Sequence, residues 1–187
     1  MKKLSILLVL TICFLNNVVS QEKSKSKEIG IYFSNLDAFG IRYKSGNEKT
    51  MFRLTAVSLS IGSSSDDNGS GISQDRIYSG FGLNLGLEFP VKINDQFNFY
   101  YGGELQTSYY YDKTKITGSA DTKTNTYGAG LGFIMGFSYT FKSNISLSAE
   151  IVPSFSYRYS KMGERKYSSY GFGLSNNSAG ITIGYRF

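Results

Sequence analysis

Residues 76–89 alternate almost perfectly between hydrocarbon and small or polar side chains. Ile77, Phe81, Leu83, Leu85, Leu87 and Phe89 take odd positions, with Ser79 the one exception, and Tyr78, Gly80, Gly82, Asn84, Gly86 and Glu88 take even ones. Successive side chains of an extended chain point to opposite faces, so one face of this strand is oily and the other is not. The pattern recurs in 96–111, 124–141 and 145–159, so the four runs are 14 to 18 residues long. An ordinary globular strand has about five or six residues, and a membrane crossing needs roughly 9 to 11. Long strands with one hydrocarbon face predict an all-β barrel that turns that face to lipid. A composition of 15 Tyr, 14 Phe and 21 Gly with only 2 Pro agrees with all-β structure.

Other segments are less regular. Residues 29–34 and 39–44 flank a tight connection at 35–38. Segment 50–62 changes parity from Phe52 and Leu54 to Val57, Leu59 and Ile61, which predicts a β-bulge. Segment 167–187 changes parity between Leu174 and Ile181, through a bulge near Asn176–Ser178 or a hairpin there. With the bulge there are eight strands. The connections 46–49, 90–95 and 142–144 are then short and lie on one side, while 63–75, 112–123 and 160–166 are longer, polar and on the other. Short periplasmic turns and long outside loops are the rule for such barrels. The expected fold is an eight-stranded antiparallel up-and-down transmembrane β-barrel.

Residues 1–20 read as a signal peptide: Lys2 and Lys3, an apolar stretch from Leu4 to Leu15, then small Ser20 before a cut. Removing them takes away Cys13, the only cysteine, and lowers the net charge from +6 to +4. That excess is modest and dispersed, so no nucleic-acid partner is expected. Residues 21–28, QEKSKSKE, read as a solvated polar segment before a barrel at 29–187.

The inward faces carry Arg42, Lys44, Arg53, Glu88, Glu104, Glu150, Arg158 and Arg186 among many glycines. An eight-stranded barrel has an interior just wide enough for its own side chains. An unpaired mid-strand carboxylate there is costly, which predicts an ion-pair network closing the lumen. A narrow gated ion path is the other use of the same charges. The chain has no histidine. A serine triad, a thiolate nucleophile and an ordinary zinc site therefore each lack a key residue in the mature chain. No catalytic residue, cofactor or metal is expected. Asp66 and Asp67 do not match an EF-hand spacing, and Gly128, Gly130 and Gly132 alternate along a strand and form no phosphate loop. Tyrosines at strand ends, such as Tyr100, Tyr101 and Tyr109, suit an interfacial aromatic belt.

Over 29–187 the chain resembles the small eight-stranded bacterial outer-membrane β-barrel proteins, of the outer membrane protein beta-barrel domain type with no appended module. The leader, the alternating strands, the glycine-rich inner faces and terminal Tyr185-Arg186-Phe187 carry the resemblance. It implies residence in the outer membrane, surrounded by outer-membrane lipid, as a monomer. It also implies recognition of Tyr185 and Phe187 as a C-terminal signal by the outer-membrane assembly machinery. The function implied is that of a non-enzymatic barrel acting through surface loops or by stabilising the envelope, with a narrow porin-like channel as the alternative.

Overall fold

The computed structural model describes residues 26–35, 38–67, 73–119, 121–174 and 178–187; the expected leader lies outside them. The described residues form ten strands and no helix: β1 (Ser26–Asn35), β2 (Ala38–Gly46), β3 (Met51–Asp67), β4 (Ser73–Lys92), β5 (Phe97–Ile116), β6 (Thr122–Thr140), β7 (Ile145–Ile151), β8 (Ser154–Met162), β9 (Arg165–Gly173) and β10 (Ala179–Arg186). Strands β1 to β7 pair antiparallel in sequence order, and β10 joins β7 to β1, closing an eight-membered ring. Opposed residues run from Leu131 through Leu105, Leu85, Leu54, Tyr43, Ile29, Tyr185 and Ile145. The Phe141 N–H then donates to the Ile145 carbonyl, returning the path to β6 ten residues below its start. A closed sheet needs such a stagger, and it tilts the strands by roughly 35–45°.

The two extra strands are the upper parts of interrupted wall strands. Two positions of the sequence, Val152 and Pro153, separate β7 from β8, and five separate β9 from β10, a difference of three. An odd excess turns the strand over, so Tyr170 and Phe172 face outward above it and Ile181 and Ile183 face outward below it. The bulge expected near Asn176–Ser178 falls on positions 175–177, outside the described residues. β9 does not pair with β10, so no hairpin forms there. In β3, Ser58 and Leu59 face the single Phe81, which is the bulge expected from the parity change.

Three differences from the sequence reading concern lengths. The stretch 63–75 is mostly strand, with β3 reaching Asp67 and β4 starting at Ser73, and the stretches 112–123 and 160–166 are likewise shortened by β5, β6, β8 and β9. Above the membrane both faces of a strand meet water, so alternation fades while the ladder continues. β1 begins at Ser26 and takes Glu28 from the polar leader into the wall. Finally, β1 and β2 run beyond the expected 29–34 and 39–44 to ten and nine residues, yet stay well short of the 17 to 20 of β3 to β6. Among the described residues β2 accompanies β3 only to Val57, and β9 has β8 as its only partner.

The barrel is inside-out relative to a soluble protein. Leu85, Leu105, Leu131, Phe133, Leu147 and Ile183 are exposed, whereas Arg42, Arg53, Glu88 and Glu150 are buried. A water-soluble ligand-binding barrel requires the reverse. Two outward aromatic rows bracket the hydrocarbon. The lower contains Phe99, with Phe137 at 5.3 Å and Tyr101 at 6.3 Å; the upper runs Phe81–Tyr109–Tyr127 at 6.0 and 5.2 Å. Ten residues of tilted strand from Phe99 to Tyr109 rise roughly 25 Å, the height of a barrel's apolar band. The chain is a transmembrane barrel. Phe133→Arg, near mid-band, is expected to lower stability in lipid vesicles by about 2–4 kcal/mol, read by urea titration, and Ser119→Arg in an outer turn by no more than about 0.5 kcal/mol.

Candidate functional site

The register of the ring decides which charges meet. Arg42 on β2 lies inward between outward Ile41 and Tyr43; Arg53 is opposite Lys44 on the adjoining strand. Glu150 on β7 is flanked at its own level by Gly136 and Gly180, and Glu104 on β5 by Gly86 and Gly132. Each carboxylate thus stands between two residues without side chains, and that space admits long side chains. Two tyrosine rings from adjoining strands use it. Tyr100 packs over Gly136, where a Cβ would come within 2.6 Å of the ring, and Tyr32 covers Gly180 in the same way.

The ion pairs form one chain. From the periplasmic end, Arg186 Nε donates to Glu28 Oε2 at 2.7 Å, and Lys44 Nζ lies 3.8 Å from Glu28 and 3.0 Å from Glu88. Arg53 donates from Nη1 to Glu88 Oε1 at 2.8 Å and from Nη2 to Glu150 Oε1 at 2.8 Å, and its Nη2 is 3.2 Å from Glu104 Oε2. Arg42 completes the chain with Nη2 on Glu150 Oε1 at 2.8 Å, Nη1 on Thr182 Oγ1 at 2.8 Å and Nε on Thr55 Oγ1 at 3.0 Å. Tyr100 adds its hydroxyl proton to Glu150 Oε2 at 3.0 Å. Cations also sit over the rings: Arg42 is 4.1 Å from the Tyr32 centroid, and Lys44 is 4.9 Å from that of Tyr100.

The chain contains Glu28, Glu88, Glu104 and Glu150 against Arg42, Lys44, Arg53 and Arg186. The charges balance, and all but Arg186 are nearly solvent-free. Burying an ion costs several kcal/mol, recovered only when partners and hydrogen bonds are complete. Completion is near but not total: Arg53 Nε and Glu104 Oε2 make no hydrogen bond, although Asn84 and Gln106 donate to Glu104 Oε1 at 3.2 and 2.8 Å. Beside the chain, Tyr100, Ile134 and Val152 form a small apolar cluster inside the barrel.

Of the charges anticipated from sequence, Arg42, Arg53, Glu88, Glu104, Glu150 and Arg186 join this chain with Lys44. Arg158 does not. It lies higher on β8, opposite Gly128 and Ser169, and lines an open cavity of about 450 Å³ with Asn84, Glu104, Gln106, Ser108, Ser154 and Ser156. Its level on the strand, several residues above Glu150, puts it out of reach. Sequence reasoning missed Glu28, Thr55, Tyr100 and Thr182 as partners. Glu28 shares the inward parity of Gly30 and Tyr32, a signal obscured by the charged run before it. Tyr100 was assigned to the lipid interface, yet it points inward while its neighbour Tyr101 points out.

An eight-stranded antiparallel barrel with a hydrocarbon exterior and an ion-paired interior is a transmembrane β-barrel of the small outer-membrane type. A solved structure with a TM-score above 0.5 bears out that fold. A major outer membrane protein from Thermus thermophilus matches 88% of this chain and 100% of its own at 12% identity and a TM-score of 0.55. The N-terminal β-barrel domain of Pseudomonas aeruginosa OprF matches 89% of this chain and 100% of its own at 13% identity and a TM-score of 0.46. Neisserial surface protein A matches 87% of this chain and 92% of its own at 14% identity and a TM-score of 0.40. No protein-family model matches the sequence, and no curated protein matches it.

Removing one charge from the hub strands its partners. Glu150→Gln is expected to destabilise the barrel by about 3–5 kcal/mol in urea or thermal unfolding, because Arg42 and Arg53 then stay buried without it. Arg158→Gln is expected to change stability by less than about 0.5 kcal/mol.

Proposed function

We propose that this chain is a non-enzymatic, monomeric integral barrel of the outer membrane with a closed lumen, a rigid platform for the hairpins that project beyond the lipid. The observation that carries this reading is the unbroken ion-pair chain from Arg186 to Arg42, which ties the inward charges of the lower lumen to one another. Glu104 and Glu150 are committed to arginines, which suits a structural carboxylate and not a general acid or base. The partners on this reading are outer-membrane lipid and, during biogenesis, the assembly machinery. Outward Tyr185 and Phe187, with ring centroids 6.5 Å apart on the last strand, offer the aromatic pattern such machinery would read.

Planar-bilayer recording tests the closed lumen. The wild type is expected to give no resolvable conductance steps, and the charge-balanced double variant Arg42→Ala/Glu150→Ala to give them. Steady wild-type conductance altered by Glu150→Gln would replace this reading with a narrow channel. For assembly, Phe187→Ala combined with Tyr185→Ala is expected to slow folding at least severalfold in vesicles containing the purified assembly complex, while leaving spontaneous folding in detergent unchanged.

A further inference from the structure

The short β1–β2 hairpin leaves a slot in the barrel wall. Its last pair is Asn35 with Ala38, whereas β3 continues to Asp67 and β9 rises above β10. Two neighbouring strands are therefore missing from the upper wall, roughly 10 Å of sheet at the usual strand spacing. Among the described residues the facing edges, β3 beyond Val57 and β9, carry no second strand.

The slot begins within the apolar band. Tyr170 and Phe172 on β9 oppose Tyr157 and Phe155, which oppose Ala129 and Leu131, two and four residues to the membrane side of Tyr127 in the upper aromatic row. Phe172 and Leu174 are 86% and 67% exposed at the slot's lip. A bare sheet edge at that depth lacks the water that would satisfy its N–H and C=O groups.

Behind the lip the chemistry reverses. The inward positions of β9 include Ser169, Gly171 and Gly173, so no bulky side chain bars the way into the cavity. A Cβ on Gly171 would meet only Ser156 Oγ, at 3.8 Å. Arg158 lines this cavity with no carboxylate within ion-pair reach among the described residues, unlike Arg76 above it, which is paired with Asp112. The hydroxyls of Ser108, Ser154 and Ser156 line the cavity too, and it is bordered by Glu104, which is held by Arg53 and by the amides of Asn84 and Gln106. Guanidinium and hydroxyl groups together are a recognition set for a phosphate or carboxylate.

We propose that this slot and cavity form a binding site for an anionic single-chain amphiphile drawn from the outer leaflet. The head pairs with Arg158 inside the barrel, and the acyl chain leaves between β9 and β3 against Phe172 and Leu174. Arg158 lies outside the ion-pair chain, so the site stands whether or not the lower lumen conducts.

Native mass spectrometry of the folded full barrel in a non-ionic polyoxyethylene detergent tests this, with palmitoyl lysophosphatidic acid as the probe. The expected result is one adduct per barrel, at least tenfold weaker in Arg158→Gln and in Gly171→Phe, which fills the passage. Monopalmitoylglycerol, with the chain but no anion, is expected to bind at least tenfold more weakly, and inorganic phosphate not to compete. Unchanged binding in Arg158→Gln would place the lipid on the outer wall and overturn the proposal. Competition by inorganic phosphate at equal concentration would overturn it differently, leaving a soluble-anion site that makes no use of the slot. Each variant's boiling-dependent gel mobility verifies that its barrel is closed.

Discussion

Hydrocarbon offers a backbone nothing to bond with, and most of this structure follows from that. Each N–H and C=O at membrane depth must find another strand, so the sheet has to close on itself. Closure with eight strands and a stagger of ten sets a strand tilt and a narrow bore. The outside then takes any oily side chain, because packing against lipid makes few demands on shape. The inside has little room, and glycine occupies much of it.

The narrow bore explains why the interior is ionic yet stable enough to stand. A lumen lined only with glycine would be an empty tube, and one lined only with bulky residues would not close. Alternating the two lets Arg53, Val152, Tyr100 and Tyr32 occupy the space left by Gly86, Gly132, Gly136 and Gly180 respectively. Arg53 is the hub, touching Glu88, Glu104 and Glu150 at once. Its planar fork of donors suits that role in a way the single ammonium of a lysine would not. Lys44, with a pair at 3.0 Å and another at 3.8 Å, sits where looser geometry is enough.

The upper barrel departs from this economy. There, among the described residues, β1 and β2 stop short of their neighbours, the outer faces mix aromatic and polar residues, and Arg158 makes no ion pair. The same two short strands that complete the lower ring produce the gap above it. The short connection at 35–38, on the side where the other connections are long, marks that gap in the sequence.

Strand existence, facing and number were legible in the sequence, because a period of two in hydrocarbon is imposed residue by residue by the solvent. The bulge in β3 and the flip before β10 were legible for the same reason, since each shifts the parity of Ile61 or Ile181. The inward charges were legible as a set. Their pairing was not. Which carboxylate meets which guanidinium depends on stagger around the closed ring, a quantity spread over eight registers and encoded in no single segment. That stagger put Arg158 out of reach of Glu150, brought Glu28 to Lys44 and Arg186, and turned Tyr100 onto Glu150. The sequence by itself determined a lipid-facing barrel with a charged interior, because burial preference is local; only the tertiary structure decided which of those charges pair and which stand apart, because that depends on distances across the barrel.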